Sequence, residues 1–293
     1  MTGDGLYDNN KRFEINPASF SNLVQADQSS RTASITGKYS ITSKNYYIIG
    51  NVAYFSTANV LTTNTTYYPS QINYSVLNHP SSMTVQRFIE YRTNDGEGLT
   101  GLGEMFDLVH LFKPTSIGEL EFTILNLPSQ GGDWVLRQIV SGFGLVAPRS
   151  LANTGQFYVL GAADGIRVWD GGRRSRLSVS EESRLISNKI TDLIQKLIRA
   201  GTYKNIVGKY YPKEEWYVLS YEDPDKFPRG RNNSVVVYDF KTTEWFPICN
   251  WNAESIEVWN SADDNGELIF GDSNDGYVHK ANLHEKIDDS TRQ

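Results

Sequence analysis

The sequence holds one cysteine in 293 residues, Cys249. A single thiol excludes an internal disulfide and any zinc site built from several cysteines. Cys249 follows Trp245-Phe246-Pro247-Ile248 and reads as a small buried hydrophobe. Histidine is nearly as scarce. His79, His110, His279 and His284 stand apart, with no His-x-x-x-His or Cys-x-x-Cys frame. His110 lies inside an apolar run and reads as a satisfied sheet residue. Positive charge is also short: 28 Lys+Arg against 34 Asp+Glu leave a net −6. A nucleic-acid binder usually carries a basic excess, so DNA binding by the whole surface is disfavoured. No run reaches the ~18 apolar residues of a membrane span. The polar start Met1-Thr2-Gly3-Asp4-Gly5 offers no apolar stretch suited to a signal peptide, so a soluble protein is expected. Nucleophile elbows, phosphate-binding glycine loops and dinucleotide fingerprints are absent as well.

What the sequence does have is aromatic weight, 12% of residues, beside many Thr, Ser, Asn and Val. That mixture leans toward strands. Residues 1–30 lack a steady period and read as an amino-terminal arm. From residue 31 short β-type runs recur, each closed by a turn signal. Tyr46-Tyr47-Ile48-Ile49 and Val52-Ala53-Tyr54-Phe55 flank Gly50-Asn51, a pair suited to a tight hairpin. A Thr/Asn-rich loop over 57–70 and a strand near 72–77 follow. A second group spans 85–91, the turn Asn94-Asp95-Gly96, then 108–112, 117–122 and 134–140, with Pro114 in a turn. Third, fourth and fifth groups occupy about 156–172, 205–248 and 255–280. Gly96, Gly98, Gly101 and Gly103 predict a close turn near a central axis.

The groups resemble one another. Phe157–Leu160, Asp164-Gly165 and Ile166–Trp169 parallel Leu268–Phe270, Asp275-Gly276 and Tyr277–His279. Val235–Asp239 with Trp245 echoes Val168-Trp169-Asp170. A β unit of 40–55 residues repeated with drift is the mark of a β-propeller, where circular stacking leaves only short edges. The expected fold is all-β, a propeller of about five small antiparallel blades over 31–281, with 282–293 as a carboxy-terminal tail. A two-sheet β-sandwich is the alternative. One helix interrupts the array at about 181–199. Ser180-Glu181-Glu182 suits its start, Leu185, Ile186, Ile190, Leu193, Ile194, Leu197 and Ile198 make one stripe, and Gly201 stops it. Such a helix packs across the sheet edges between two groups.

Chemistry is thin. Asp263-Asp264-Asn265-Gly266 and Asp272-Ser273-Asn274-Asp275-Gly276 invite a calcium reading. A calcium loop wants glycine at its sixth place and glutamate at its twelfth. Gly276 falls one place early and the glutamate is missing, so two hairpin turns explain the stretch. Carboxylates such as Glu214-Glu215 alternate across a strand and do not face one another. No enzymatic activity, metal or cofactor is expected. Two basic clusters remain as partner or nucleic-acid contacts: Arg173, Arg174 and Arg176, and Lys226, Arg229 and Arg231.

A further string of motifs runs along the chain. It comprises Asn94–Glu97, then Phe112-Lys113-Pro114-Thr115-Ser116-Ile117, then Ala147-Pro148-Arg149-Ser150. It continues through Asp164-Gly165-Ile166 with Trp169-Asp170-Gly171, and ends on Phe270-Gly271-Asp272 with Gly276-Tyr277-Val278. Over about residues 45–281 this string resembles phage and prophage virion β-propeller proteins, of the tail nozzle or tail tube kind found in short-tailed phages. The resemblance implies a non-enzymatic structural protein of the virion tail, made in the host cytoplasm. It implies a homo-oligomer, a hexamer in such rings, bound to neighbouring tail proteins (adaptor, nozzle neighbours, fibres). DNA would pass without being held, and the acidic balance suits that. Two alternatives come from the residues. Trp251 and Trp259, or Tyr67-Tyr68, could stack on sugars in a host-glycan-binding module; converging carboxylates would instead make a propeller glycoside hydrolase.

Overall fold

The computed structural model describes residues 23–24, 33–59, 62–124, 132–172, 183–227, 229–249, 251–259, 266–272 and 274–281. The expected arm is described only at 23–24, and the 282–293 tail lies outside the described residues, as do Arg173, Arg174 and Arg176.

Five antiparallel sheets follow one another along the chain, each with its strands in sequence order. The first holds β1 (Leu23–Val24), β2 (Ala33–Ser43), β3 (Tyr46–Asn59), β4 (Thr62–Val76) and β5 (His79–Glu90). The second holds β6 (Gly101–Met105), β7 (Leu108–Phe112), β8 (Ser116–Ile124) and β9 (Gly132–Ser141). The third holds β10 (Ala147–Asn153), β11 (Tyr158–Ala162), β12 (Gly165–Trp169) and β13 (Ser183–Leu185). The fourth holds β14 (Val207–Tyr211), β15 (Trp216–Tyr221), β16 (Ser234–Asp239) and β17 (Glu244–Ile248). The last holds β18 (Ala253–Trp259), β19 (Glu267–Asp272) and β20 (Val278–Lys280).

The strands β6, β10, β14 and β18 open their sheets and touch in succession, and β2 touches β6. Opening strands that line one axis, with later strands stepping outward, make a β-propeller. The apolar clusters confirm the stacking, because each sits between successive sheets. Two packed sheets would share one core, so the sandwich alternative falls. The expected repeat holds in detail. Asp164-Gly165 and Asp275-Gly276 both join the second strand of a sheet to its third. No helix among the described residues is long and apolar enough to cross a membrane.

Four local expectations are corrected. Gly50-Asn51 is a bulge inside the single strand β3, where the register to β4 shifts and Asn51 takes φ 57°. The hairpin turn is Lys44-Asn45, both at positive φ, as a primed two-residue turn requires. The Thr/Asn-rich stretch expected as a loop over 57–70 is largely strand β4, because pairing with β3 overrides weak local propensity. The helix begins later than 181. Ser183–Leu185 pairs with Arg167–Trp169 as an edge strand, a 3₁₀ turn covers Ser187–Ile190, and α1 is Thr191–Ala200. The edge of β12 recruits residues whose apolar pattern also fitted a helix. The stop at Gly201 stands, with φ 74° and its N–H on Ile198 O. Ile194 and Leu197 of α1 pack between the third and fourth sheets. Finally, Cys249 is exposed, at the end of β17 rather than under it.

The first sheet departs most from a blade. Its strands reach 15 residues, and it curls until β1 meets β5. It therefore buries both faces. Ile35, Ile49, Val52 and Met83 fill the inside of the curl, while Tyr46, Ile48 and Ile72 pack on the second sheet.

Candidate functional site

The motif residues lie mainly at the joints between sheets. Lys113 is fully buried, and its Nζ reaches Asp95 Oδ1 at 2.8 Å, the Arg92 carbonyl at 2.8 Å and Ser70 Oγ at 3.0 Å. Its ammonium also lies over the Tyr91 ring. Burial alone would raise the Asp95 carboxyl, but the bonds to Lys113 and to the Glu97 amide hold it below the usual range. Beside it, Glu97 Oε2 accepts from Thr115 Oγ1 at 2.8 Å. The Asn-Asp-Gly-Glu and Phe-Lys-Pro-Thr motifs thus clamp the first sheet to the second. Ser150 plays a similar part further on: its carbonyl accepts from the buried Tyr217 hydroxyl, tying the third sheet to the fourth.

His110 is a sheet residue, fully buried as expected. Its Nδ1 lies 3.1 Å from the Tyr158 hydroxyl and its ring meets Trp169 edge-on. Burial pulls the imidazole down to about 4, against a smaller opposing effect of the Gly171 backbone.

A cavity of about 410 Å³ opens where β10, β14 and β18 begin. Lys38 and Tyr39 come from β2, Pro148 and Arg149 from β10, and Lys204 and Asn205 from the turn before β14. Glu222 and Gly230–Asn232 come from the β15–β16 loop, and Glu254 from β18. Arg149 spans it: Nη1 reaches Glu254 Oε1 at 3.2 Å, and Nη2 donates to the Glu254 carbonyl. The Asn232 amide donates to Glu254 Oε2 at 3.0 Å. Four cations against two carboxylates make this mouth locally basic in an acidic chain, which favours an acidic group from a partner.

Of the expected contacts, only Arg231 lines this cavity. Lys226 turns back to Ser234 Oγ at 3.0 Å, and Arg229 lies over the exposed Phe227 ring. Lys38, Arg149, Lys204 and Glu254 were missed, since they lie far apart in sequence and meet only through the ring. One signal existed. Aligning the repeats on Ala147 and Ala253, both fully buried at strand starts, sets Arg149 and Glu254 within one residue of each other.

Among the sugar-stacking candidates, Trp251 stacks on Phe270 with centroids 4.7 Å apart, and Tyr68 packs edge-on to Tyr54. Trp259 stays 60% exposed and Tyr67 72%. In the last sheet, Asp272, Asp275 and His279 bring two carboxylates and an imidazole within 4.8 Å of one another. Asp263 and Asp264 of the calcium reading lie outside the described residues.

No family model matches the sequence, and no curated protein matches it. Solved structures do match in shape. The chain is similar to the WD40 domain of SCAP from fission yeast at 13% identity and TM-score 0.40, covering 82% of this chain and 64% of that one, less than two thirds of its length. It is similar to a Lactobacillus plantarum protein at 11% identity and TM-score 0.38, covering 84% of each. It is similar to the AfRom2 CNH domain at 10% identity and TM-score 0.29, covering 84% of this chain and 93% of that one.

Proposed function

We propose that the chain is a non-enzymatic structural protein of a phage virion tail, a rigid propeller platform on which neighbouring tail proteins assemble and past which DNA moves. The observation that carries this reading is the use of the shared motifs. The residues by which the sequence resembles nozzle and tube proteins, Asp95, Glu97, Lys113, Thr115 and Ser150, are spent on locking sheet to sheet. A platform in a ring needs that rigidity, because an interface between copies tolerates little internal movement. The basic mouth around Arg149 and Arg231 supplies a place for an acidic segment of a neighbour. Oligomerisation, a hexamer in such rings, belongs to the same proposal.

Cryo-EM of particles from the phage or prophage that encodes the chain is the test. Density for this propeller in the tail, in several copies around the axis, supports the reading; particles whose tails lack it sink the idea. A second reading has one observation in its favour. Trp259 and Tyr277, 60% and 70% exposed on the last sheet, offer rings to a sugar. Reproducible signal on a glycan array, lost in Trp259→Ala, would favour a host-glycan-binding module.

A further inference from the structure

The hairpin between β19 and β20 brings together three side chains that the platform reading leaves unused. Asp272 closes β19, Gly276 turns the chain at φ 76°, and His279 sits in β20 opposite Phe270. Alternation along a strand puts Phe270 and Asp272 on one face, and pairing with Phe270 adds His279 to it. The imidazole stacks on the Phe270 ring at 5.5 Å and 27°, which fixes its plane. Its Nε2 lies 2.9 Å from Asp275 Oδ2. Asp272 Oδ1 accepts from the Asn274 amide at 2.6 Å, which orients that carboxylate.

We propose that Asp272, Asp275 and His279 form a binding site for a divalent transition-metal cation such as zinc or nickel. Two donors each about 2.1 Å from a metal and at right angles to it stand about 3.0 Å apart. The Asp275–His279 spacing of 2.9 Å already has that value. An exposed ion pair would account for those two residues alone and for little energy. The third donor, Asp272, within 4.8 Å of both, is what an ion pair does not require. The imidazole nitrogen sets the class of metal: zinc and nickel accept such mixed ligands, whereas calcium wants six to eight oxygens. Phe270 does for the histidine what an outer-shell partner does in a metal site, holding the ring at one angle. Asp275 is exposed, so water completes the coordination. Binding takes the neutral imidazole and releases its proton to solvent if it carried one. The ion would pin β20, the outermost strand of a three-stranded sheet, to the end of β19. This goes beyond the platform proposal and does not depend on it.

Titration calorimetry of the full chain with zinc chloride, and separately with nickel and calcium chlorides, is the experiment. One equivalent of zinc or nickel is expected, with calcium at least tenfold weaker. His279→Phe keeps a ring on Phe270 and removes the nitrogen; Asp275→Asn alters only the exposed turn. Each should weaken zinc at least tenfold, and zinc should raise the melting temperature of the parent but not of either variant. Absence of binding at millimolar zinc overturns the site. So does zinc affinity unchanged in a variant that circular dichroism shows to be folded, or calcium binding as tight as zinc.

Discussion

Ile48 and Ile49 are neighbours in β3, point to opposite faces, and are both fully buried. Ile269 and Phe270 are neighbours in β19, yet only Phe270 is buried in a core cluster. On the Ile269 face stand Trp259, Val278, Glu257 and Lys280, by strand pairing. The first sheet covers its second face by curling on itself, while the last leaves its second face toward solvent. Local stability follows covered apolar area, so the array should open from its last sheet while the first two hold. Rigidity is therefore concentrated at the joint between the first and second sheets.

The largest expected effect strikes that joint. Lys113→Met removes the cation and leaves Asp95 buried beside a methyl group. Losing one partner of a buried pair costs about 3–5 kcal/mol. Urea denaturation should show that loss, and adding Asp95→Leu should restore a large part of it. A loss near zero for Lys113→Met would mean the joint is wet and the two ends of the array are alike. Next comes the direct contrast. Ile49→Ala should cost about 2–5 kcal/mol, as for a filled core site, and Ile269→Ala clearly less. Equal costs would show that the last sheet is covered after all.

Acid should attack the same half of the molecule. The unfolded His110 imidazole titrates near its ordinary value, while the buried one titrates at about 4. As pH falls from about 6.5 toward 4, the unfolded state takes a proton that the native state refuses, so stability drops. Below about 4 the drop levels off. The full loss is about 3 kcal/mol at roughly 1.4 kcal/mol per pH unit. In His110→Phe the slope over that window should flatten, measured by denaturation at several pH values. A slope unchanged by the substitution would assign the acid response to other groups.

The strand-turn alternation, the Asp-Gly hairpins and the repeat were readable because each is a local pattern of two to ten residues. Where neighbours compete, local reading failed. Gly50-Asn51 has turn chemistry, but the long pairing partners β2 and β4 keep the strand running through it. Leu185 and Ile186 continue a helical stripe, yet the open edge of β12 claims Leu185 first. The axial mouth was almost illegible: Arg149 and Glu254 are 105 residues apart and meet only because the ring brings blade starts together. The His279 cluster was half seen, since the acidic turn was noticed while its histidine was counted as solitary.

The smallest effect is the most discriminating one for the comparison of the two ends. Trp259 stands on the outer face of the last sheet and is 60% exposed. Replacing a ring already in water forfeits little buried area, so Trp259→Thr should shift stability by less than about 0.5 kcal/mol. The same change on the first sheet's inner face would open a cavity. If Trp259→Thr instead costs more than about 1 kcal/mol in the isolated chain, the ring is buried by something the curled first sheet supplies, and the array is closed at that end. If it costs nothing in isolation but impairs tail assembly or sugar binding, the open face is kept for a partner, and which of the two fails tells which partner it is.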